Sequence, residues 1–254
     1  MSAVDIRGVS KVFGSGPGQV EALKDIDLSI ESGQFVSLIG PSGCGKSTLL
    51  RLVGDLLPPT GGSLTVAGKT PHEARLSRDY GMVFQQATLL DWRSVRANVE
   101  LPLEIMGASA DERTARAEEM LELVQLGDFG GHYPWQLSGG MQQRVAIARA
   151  LSFKPSLLLM DEPFGALDEM TREAMQDELL RIWERSKRTV IFVTHSIPEA
   201  VFLSQRTVVM SRRPGRITRI VDIDLPYPRD EDTREDRRFY DKVTEVREAL
   251  REHE

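Results

Sequence analysis

The sequence predicts an α/β protein with a mostly parallel sheet wrapped by helices. Two observations carry this expectation. In the last third, strand-length apolar runs alternate with stretches of helical period. In the first third, Phe35-Val36-Ser37-Leu38-Ile39 reads as a strand buried on both faces, and it feeds a glycine-rich loop and then a helix.

Taken in order, Val4 and Ile6, then Ile26, Leu28 and Ile30, alternate with polar residues as half-buried strands do. Gly14-Ser15-Gly16-Pro17-Gly18 between them is a turn or loop. After the 35–39 strand and its loop, residues 48–53 have helical character, and 63–66 and 80–84 read as further strands. The middle of the chain is helical. Ser109 and Glu112 form a capping box, Ala117, Met120, Leu121 and Val124 share one face, and Gly127 with Gly130-Gly131 stops that helix. Another helix begins just after Gly139-Gly140 and runs through Val145, Ala148 and Leu151 to Pro155. Then come a strand at 157–160, a helix with Met175, Leu179 and Ile182 on one face, a strand at 190–193, a short helix near 198–203, and a strand at 208–210. From Pro226 the composition turns charged, and Phe239, Val243, Val246 and Leu250 mark an amphipathic tail helix.

The 254 residues allow one large domain or two small ones, and 41% hydrophobic with 28% charged residues is ordinary globular composition. That composition sets aside disordered, collagenous and disulfide-scaffold readings, and the one cysteine cannot form an internal disulfide. A net charge of −6 argues against a duplex nucleic-acid binder, so no nucleic-acid partner is expected. No segment approaches the roughly 18–20 apolar residues of a spanning helix, and the first residues lack the pattern of a signal peptide. The expectation is a cytoplasmic protein that meets a membrane only through a partner.

Gly40-Pro41-Ser42-Gly43-Cys44-Gly45-Lys46-Ser47 fits G-x-x-x-x-G-K-[ST]. Its glycines let backbone N–H groups turn inward around phosphate oxygens, and the helix that starts here, through Thr48, adds its positive end. Lys46 would reach the β- and γ-phosphates, and the Ser47 hydroxyl would ligate Mg²⁺. Leu157-Leu158-Leu159-Met160-Asp161-Glu162 is an apolar strand ending in two carboxylates, where nucleotide sites of such sheets lie. Asp161 suits a place near Mg²⁺, and Glu162 could polarise an attacking water. Leu137-Ser138-Gly139-Gly140-Met141-Gln142-Gln143-Arg144 is a Ser-Gly-Gly turn opening a helix, a second anion-binding terminus.

Together these stretches resemble the nucleotide-binding subunit of an ABC transporter, over nearly the whole chain. The resemblance implies a P-loop (RecA-like) core with an N-terminal antiparallel β subdomain and an inserted α-helical subdomain at about 87–151. The ATPase domain would span 1–225, with a short tail at 226–254. It implies an ATPase using ATP and Mg²⁺, working as a dimer of this chain or with a paralogous ATPase, and sandwiching two ATP molecules. Ser138, Gly139, Gly140 and Gln142 would contact the γ-phosphate bound by the opposite subunit. Gln85, after Met82-Val83-Phe84, matches the glutamine that touches Mg²⁺ and water. Ala166-Leu167-Asp168 matches the loop whose aspartate, Asp168, couples the two sites in trans. His195 matches the histidine at the γ-phosphate, and Glu162 the general base, with Lys46 as the third catalytic residue. Phe13 sits where the family places an adenine-stacking aromatic, with Val20 beside it.

The 92-residue interval from Lys46 to Ser138 leaves no room for a coiled-coil insertion of the chromosome-maintenance type. Asp161-Glu162-Pro163-Phe164-Gly165-Ala166-Leu167-Asp168, Thr194-His195-Ser196-Ile197-Pro198-Glu199-Ala200 and Met210-Ser211-Arg212-Arg213-Pro214-Gly215-Arg216 resemble the nitrate/sulfonate/taurine importer group, which also takes up vitamin precursors. That implies two membrane permease subunits, an indirectly coupled solute-binding protein, and a peripheral place on the cytoplasmic face of the membrane. Leu89, Leu90 and Trp92 would meet the permease, although Asp91-Trp92 stands where the group commonly has Pro-Trp. The alternative is a stand-alone cytosolic ATPase of an assembly or repair system. Cys44, beside a helix N-terminus and Lys46, is an expected reactive thiol whose alkylation blocks ATPase activity.

Overall fold

The computed structural model describes residues 2–165 and 167–252. The chain runs β1 (Ser2–Phe13), β2 (Val20–Glu31), β3 (Phe35–Ile39), α1 (Lys46–Val53), β4 (Gly61–Val66), α2 (Pro71–Leu76) and β5 (Tyr80–Val83). It continues through α3 (Val95–Ile105), α4 (Ala110–Leu123), α5 (Gly139–Leu151), β6 (Leu157–Asp161), α6 (Glu169–Ser186), β7 (Thr189–Val193), α7 (Ile197–Leu203) and β8 (Arg206–Met210). The last elements are β9 (Ile217–Asp222), α8 (Glu231–Glu235) and α9 (Arg237–Arg251).

The strands form two sheets. A small antiparallel sheet has the order β2-β1-β4. The larger sheet has the order β5-β6-β7-β3-β8-β9, parallel except for the antiparallel pair β8–β9. The central strands are apolar but for the buried Ser37 and Thr189 and the terminal Asp161, because each of their faces is covered. Leu157, Leu159, Ile191, Val193, Val36 and Leu38 face α1 and the small sheet. Their alternate neighbours Leu158, Met160, Val190, Phe192, Phe35 and Ile39 face α5, α6, α7 and the helical middle.

Several expected boundaries move, each for a local reason. The α4 helix ends at Leu123, before Gly127, because Gln125 turns the chain with φ 56°. The α5 helix starts at Gly139 itself, since Ser138 is its cap, and β5 stops at Val83, one residue short of the expected 84. The sequence reading passed over α2, α3, α8 and β9. Yet α2 carries a legible signature, a Thr70–Glu73 capping box with Pro71 in the first turn. The α3 helix was hidden by Pro102, which sits inside it.

The tail is tied to the core by one buried cation. Arg229, 4% exposed, donates to the carbonyls of Val201 (2.9 Å), Phe202 (2.8 Å), Ser204 (2.9 Å) and Leu225 (2.9 Å). It thereby satisfies backbone acceptors left open at the end of α7. Phe239, Val243, Val246 and Ala249 of α9 are buried against the core, while Leu250 is only half-buried. Among the described residues no helix is long and apolar enough to cross a membrane.

Candidate active site

The loop between β3 and α1 builds the cradle. Gly45 takes φ 105°, and a Cβ there would sit 2.6 Å from Leu23 Cδ2, so only glycine lets the loop close onto β2. Gly45 caps α1 without a side chain, so the first N–H groups of that helix stay open toward the cleft. Lys46 is 5% exposed and donates from Nζ to the carbonyls of Gly40 (2.8 Å) and Pro41 (3.2 Å). The cradle opens into a cavity of about 270 Å³ lined by Ser42, Gly43, Gly45, Lys46, Ser47 and Thr48 together with Phe13, Val20, Ala22, Glu162 and Arg213. Phe13 and Val20 are register partners across β1 and β2, 39% and 37% exposed, so both present apolar surface to this mouth. Cys44 does not line it: the thiol is 1% exposed, with Sγ 3.8 Å from Lys46 Nζ. Alkylation of that thiol therefore requires the loop to open.

The parallel sheet delivers the acidic groups. Ser47 Oγ donates to Asp161 Oδ1 at 2.7 Å, pairing a hydroxyl and a carboxylate at the foot of the cradle. All-oxygen donors of this kind suit a hard cation such as Mg²⁺. Glu162 follows with φ 47°, a left-handed conformation that costs a non-glycine residue of order 1 kcal/mol. Its backbone N–H donates to the Val193 carbonyl at 3.0 Å, so the end of β7 fixes where the side chain emerges. From there Glu162 Oε2 lies 3.3 Å from His195 Nδ1. A carboxylate beside an imidazole at the edge of a phosphate cradle can take a proton from water and orient it.

Gln85 sits on the far side of the same loop. Its Nε2 lies 3.1 Å from where a Gly165 Cβ would be, so the bare glycine lets the amide approach. The backbone beside it is held from α5. Gln143 Nε2 donates to the Phe84 carbonyl at 2.9 Å, and Arg149 donates to the carbonyls of Ala87 and Thr88, each at 2.9 Å. Burial pushes the Arg149 guanidinium below its ordinary pKa. Leu89 packs on the core, and the buried Asn98 pins Leu90 by exchanging hydrogen bonds with its N–H (2.8 Å) and C=O (3.1 Å). Trp92 is 76% exposed.

The Ser-Gly-Gly stretch lies elsewhere. Ser138 caps α5, accepting from the Met141 N–H at 3.3 Å. Ser138 and Gly140 line a second cavity, of about 300 Å³, with Thr171, Met175 and Arg181, and it shares no lining residue with the cradle. Gly139 is exposed, and the Gln142 amide turns back to the carbonyls of Pro134 (3.0 Å) and Leu137 (3.2 Å). Asp168 caps α6, accepting from the Thr171 N–H at 3.1 Å, and the hydrogen bonds from Thr171 hold its carboxyl below the usual carboxylate range. Ala166, the start of that loop, lies outside the described residues. Within one chain, Ser138 and Gly140 thus line a different cavity from Lys46 and Glu162. Arg213 escaped the sequence reading as a site residue because it lies in a turn after β8. The signal was Gly215, where a side chain would overlap the Cys44 carbonyl, so this turn is pressed onto the cradle.

The model for ABC transporters matches residues 23–165. The nitrate import ATP-binding protein NrtD of Synechocystis sp. is 47% identical over 236 residues, 93% of this chain and 87% of that protein. The aliphatic sulfonates import ATP-binding protein SsuB of Bacillus cereus is 45% identical over 226 residues, 89% and 88%. The dimeric structure of the ATP-binding cassette MJ0796 in a post-hydrolysis state with ADP and Pi matches with a TM-score of 0.76 at 38% identity, covering 88% of this chain and all of that one. With a phosphate cradle, paired carboxylates and a glutamate–histidine contact at its strand ends, the chain belongs to the ABC transporter family, as an ATP-binding and ATP-hydrolysing subunit.

Proposed function

We propose that this chain drives uptake of a small solute, of the nitrate, sulfonate, taurine or vitamin-precursor kind, as the ATPase under two permease subunits at the cytoplasmic face of the membrane. It works as a dimer. The observation that carries the reading is the separation of its two anion-binding termini: the 40–47 cradle and the 138–140 turn line different cavities, which suits a site completed by a second copy. The dimeric cassette with ADP and Pi supports this arrangement, and the import proteins for nitrate and sulfonates support the solute class.

In this reading Phe13 and Val20 hold the adenine, and the backbone amides of 40–47 with Lys46 hold the phosphates. Ser47, Asp161 and Gln85 would hold Mg²⁺, which when bound neutralises charge on the β- and γ-phosphate oxygens. Arg213 adds a cation at the cradle's open side, with Nη2 3.7 Å from where a Gly43 Cβ would be. Glu162 takes the proton of the attacking water, and His195 orients that pair. Ser138, Gly139, Gly140, Gln142 and Asp168 act on the nucleotide of the opposite subunit. Positioning and charge stabilisation supply most of the rate. Closure of the dimer reaches the permease through Gln85 and the segment that bears Leu89, Leu90 and Trp92.

Affinity purification from detergent-solubilised cells tests this. Recovery of a polytopic membrane permease with the tagged chain is expected, while a purely cytosolic set of partners refutes the transport assignment.

A further inference from the structure

The histidine loop is fastened from behind by a buried polar chain that starts in the C-terminal tail. Thr194, which precedes His195, is 2% exposed, and its hydroxyl donates to Glu199 Oε2 while accepting from the Ser196 N–H at 3.0 Å. Glu199 is 5% exposed, and its other oxygen accepts from Gln176 Nε2 at 3.2 Å. The Gln176 carbonyl oxygen in turn accepts from Arg234 Nη2 at 2.9 Å, and Arg234 also pairs with Asp177 at 3.0 Å. The Arg234 guanidinium lies over the Phe202 ring, 3.4 Å from its centre. A hydrogen-bonded path thus runs from α8 through α6 to the backbone on both sides of His195.

A glutamate at the third position of a helix, as Glu199 is in α7, ordinarily reaches back to its own cap's N–H. Here the carboxylate goes to Thr194 instead, and Thr194 takes the Ser196 N–H. Burial raises the Glu199 carboxyl above its ordinary pKa, a cost that a mere helix cap would avoid. The residue that gains is His195, whose two chain neighbours are both clamped.

We infer that Glu199 and Thr194 are positioning residues for His195, and that the tail, through Arg234 and Gln176, takes part in holding the hydrolytic geometry. The inference rests on the reading of His195 as a residue at the γ-phosphate. The glutamate acts on the loop, since its two oxygens are taken by Thr194 and Gln176. Misplacing a reacting group by about 1 Å costs up to about 100-fold in rate, so loosening one clamp costs part of that.

The test is steady-state ATPase kinetics and ATP binding on the full chain. Thr194→Val removes the hydroxyl at nearly constant shape, and Arg234→Met cuts the path at its far end. Both should lower kcat, Thr194→Val by about 10-fold and Arg234→Met by about 3-fold, with KM and the ATP Kd within twofold of wild type, since the cradle is untouched. Thr194→Ser, which keeps the hydroxyl, should restore kcat. In a His195→Ala background Thr194→Val should cost nothing further. An unchanged kcat in Thr194→Val and Arg234→Met, a loss that Thr194→Ser does not reverse, or a full additional loss in the His195→Ala background overturns the inference. Should Thr194→Val fail to fold, Arg234→Met decides alone. The two readings fail separately: normal turnover in His195→Ala alone sinks the role of that histidine, whereas a His195→Ala defect without a Thr194 or Arg234 defect sinks only the relay.

Discussion

Ser47 Oγ and Asp161 Oδ1 meet at 2.7 Å although 114 residues of chain separate them. The parallel order β6-β7-β3 makes that contact obligatory. Strands that all point one way put their carboxyl ends along one edge, so the loop after β3 and the acidic end of β6 share it, with β7 supplying His195 between them. Every hydrolytic prediction below depends on that edge.

Glu162→Gln keeps the volume of the side chain but removes the proton acceptor. ATP should still bind, turnover should fall by at least about 100-fold, and the dimer should be trapped with nucleotide. Steady-state hydrolysis and size-exclusion chromatography with ATP read both effects. Wild-type turnover would refute the assignment of the base.

Ser138→Arg places a bulky cation at the start of α5, far from the chain's own cradle. ATP binding by each monomer should be unaffected while hydrolysis disappears. Mixing this variant with Glu162→Gln should restore at most one composite site per dimer. Full-rate hydrolysis by isolated monomers would contradict the two-copy site.

The turn bearing Arg213 is held against the cradle by hydrogen bonds of the Gly215 N–H to the Ala22 carbonyl (3.0 Å) and of the Lys24 N–H to the Gly215 carbonyl (3.0 Å). Gly215→Ala forces a methyl group onto the Cys44 carbonyl and should displace the cradle, weakening ATP binding by about 10-fold or more and lowering Tm. Arg213→Ala leaves the turn in place and should weaken ATP several-fold while affecting adenosine little, because only the phosphates lose a charge partner. Isothermal titration with the two ligands separates the cases, and equal losses for both would exclude a phosphate contact.

Tyr227 gives a pH prediction. Its hydroxyl donates to the Leu203 carbonyl at 2.9 Å, and burial pushes its pKa from 10.0 to about 12. Between those values the unfolded chain releases a proton that the folded chain keeps. Stability from this group is therefore complete below pH 10 and is lost as pH rises toward 12, in total about 2–3 kcal/mol. Tyr227→Phe should cost about 1 kcal/mol at neutral pH and flatten the alkaline decline by about one proton. Urea titrations at pH 8, 10 and 11.5 measure this, and identical slopes for both proteins would rule it out.

Much of this was legible beforehand, for a physical reason. A strand buried on both faces must be largely apolar, and a loop that wraps phosphate needs glycine where the backbone turns inward, so 35–47 and 157–162 carry their roles in residue type alone. Gly127 misled because any residue able to adopt a left-handed turn can end a helix, and Gln125 did so first. Arg229, Asn98 and the Glu199 relay were not legible. Each is a buried polar residue whose burial depends on its hydrogen-bond partners, from the loop at Leu90–Ser94 for Asn98 to Gln176 of another helix for Glu199, and no local pattern distinguishes them from solvated neighbours.

By itself, then, the sequence determined the α/β class, the glycine-rich loop at 40–47, the acidic strand end and the Ser-Gly-Gly helix start, because periodicity and backbone freedom are properties of short segments. Only the tertiary structure decided which of these meet. It joined Lys46, Ser47, Asp161, Glu162 and His195 along one sheet edge and set Ser138 in a different cavity from Lys46 and Glu162. It brought Arg213 to the cradle and ran a buried path from the tail to the histidine loop. Strand order and the pairing of buried polar groups are collective, since each contact exists only when residues far apart in the chain have already been placed.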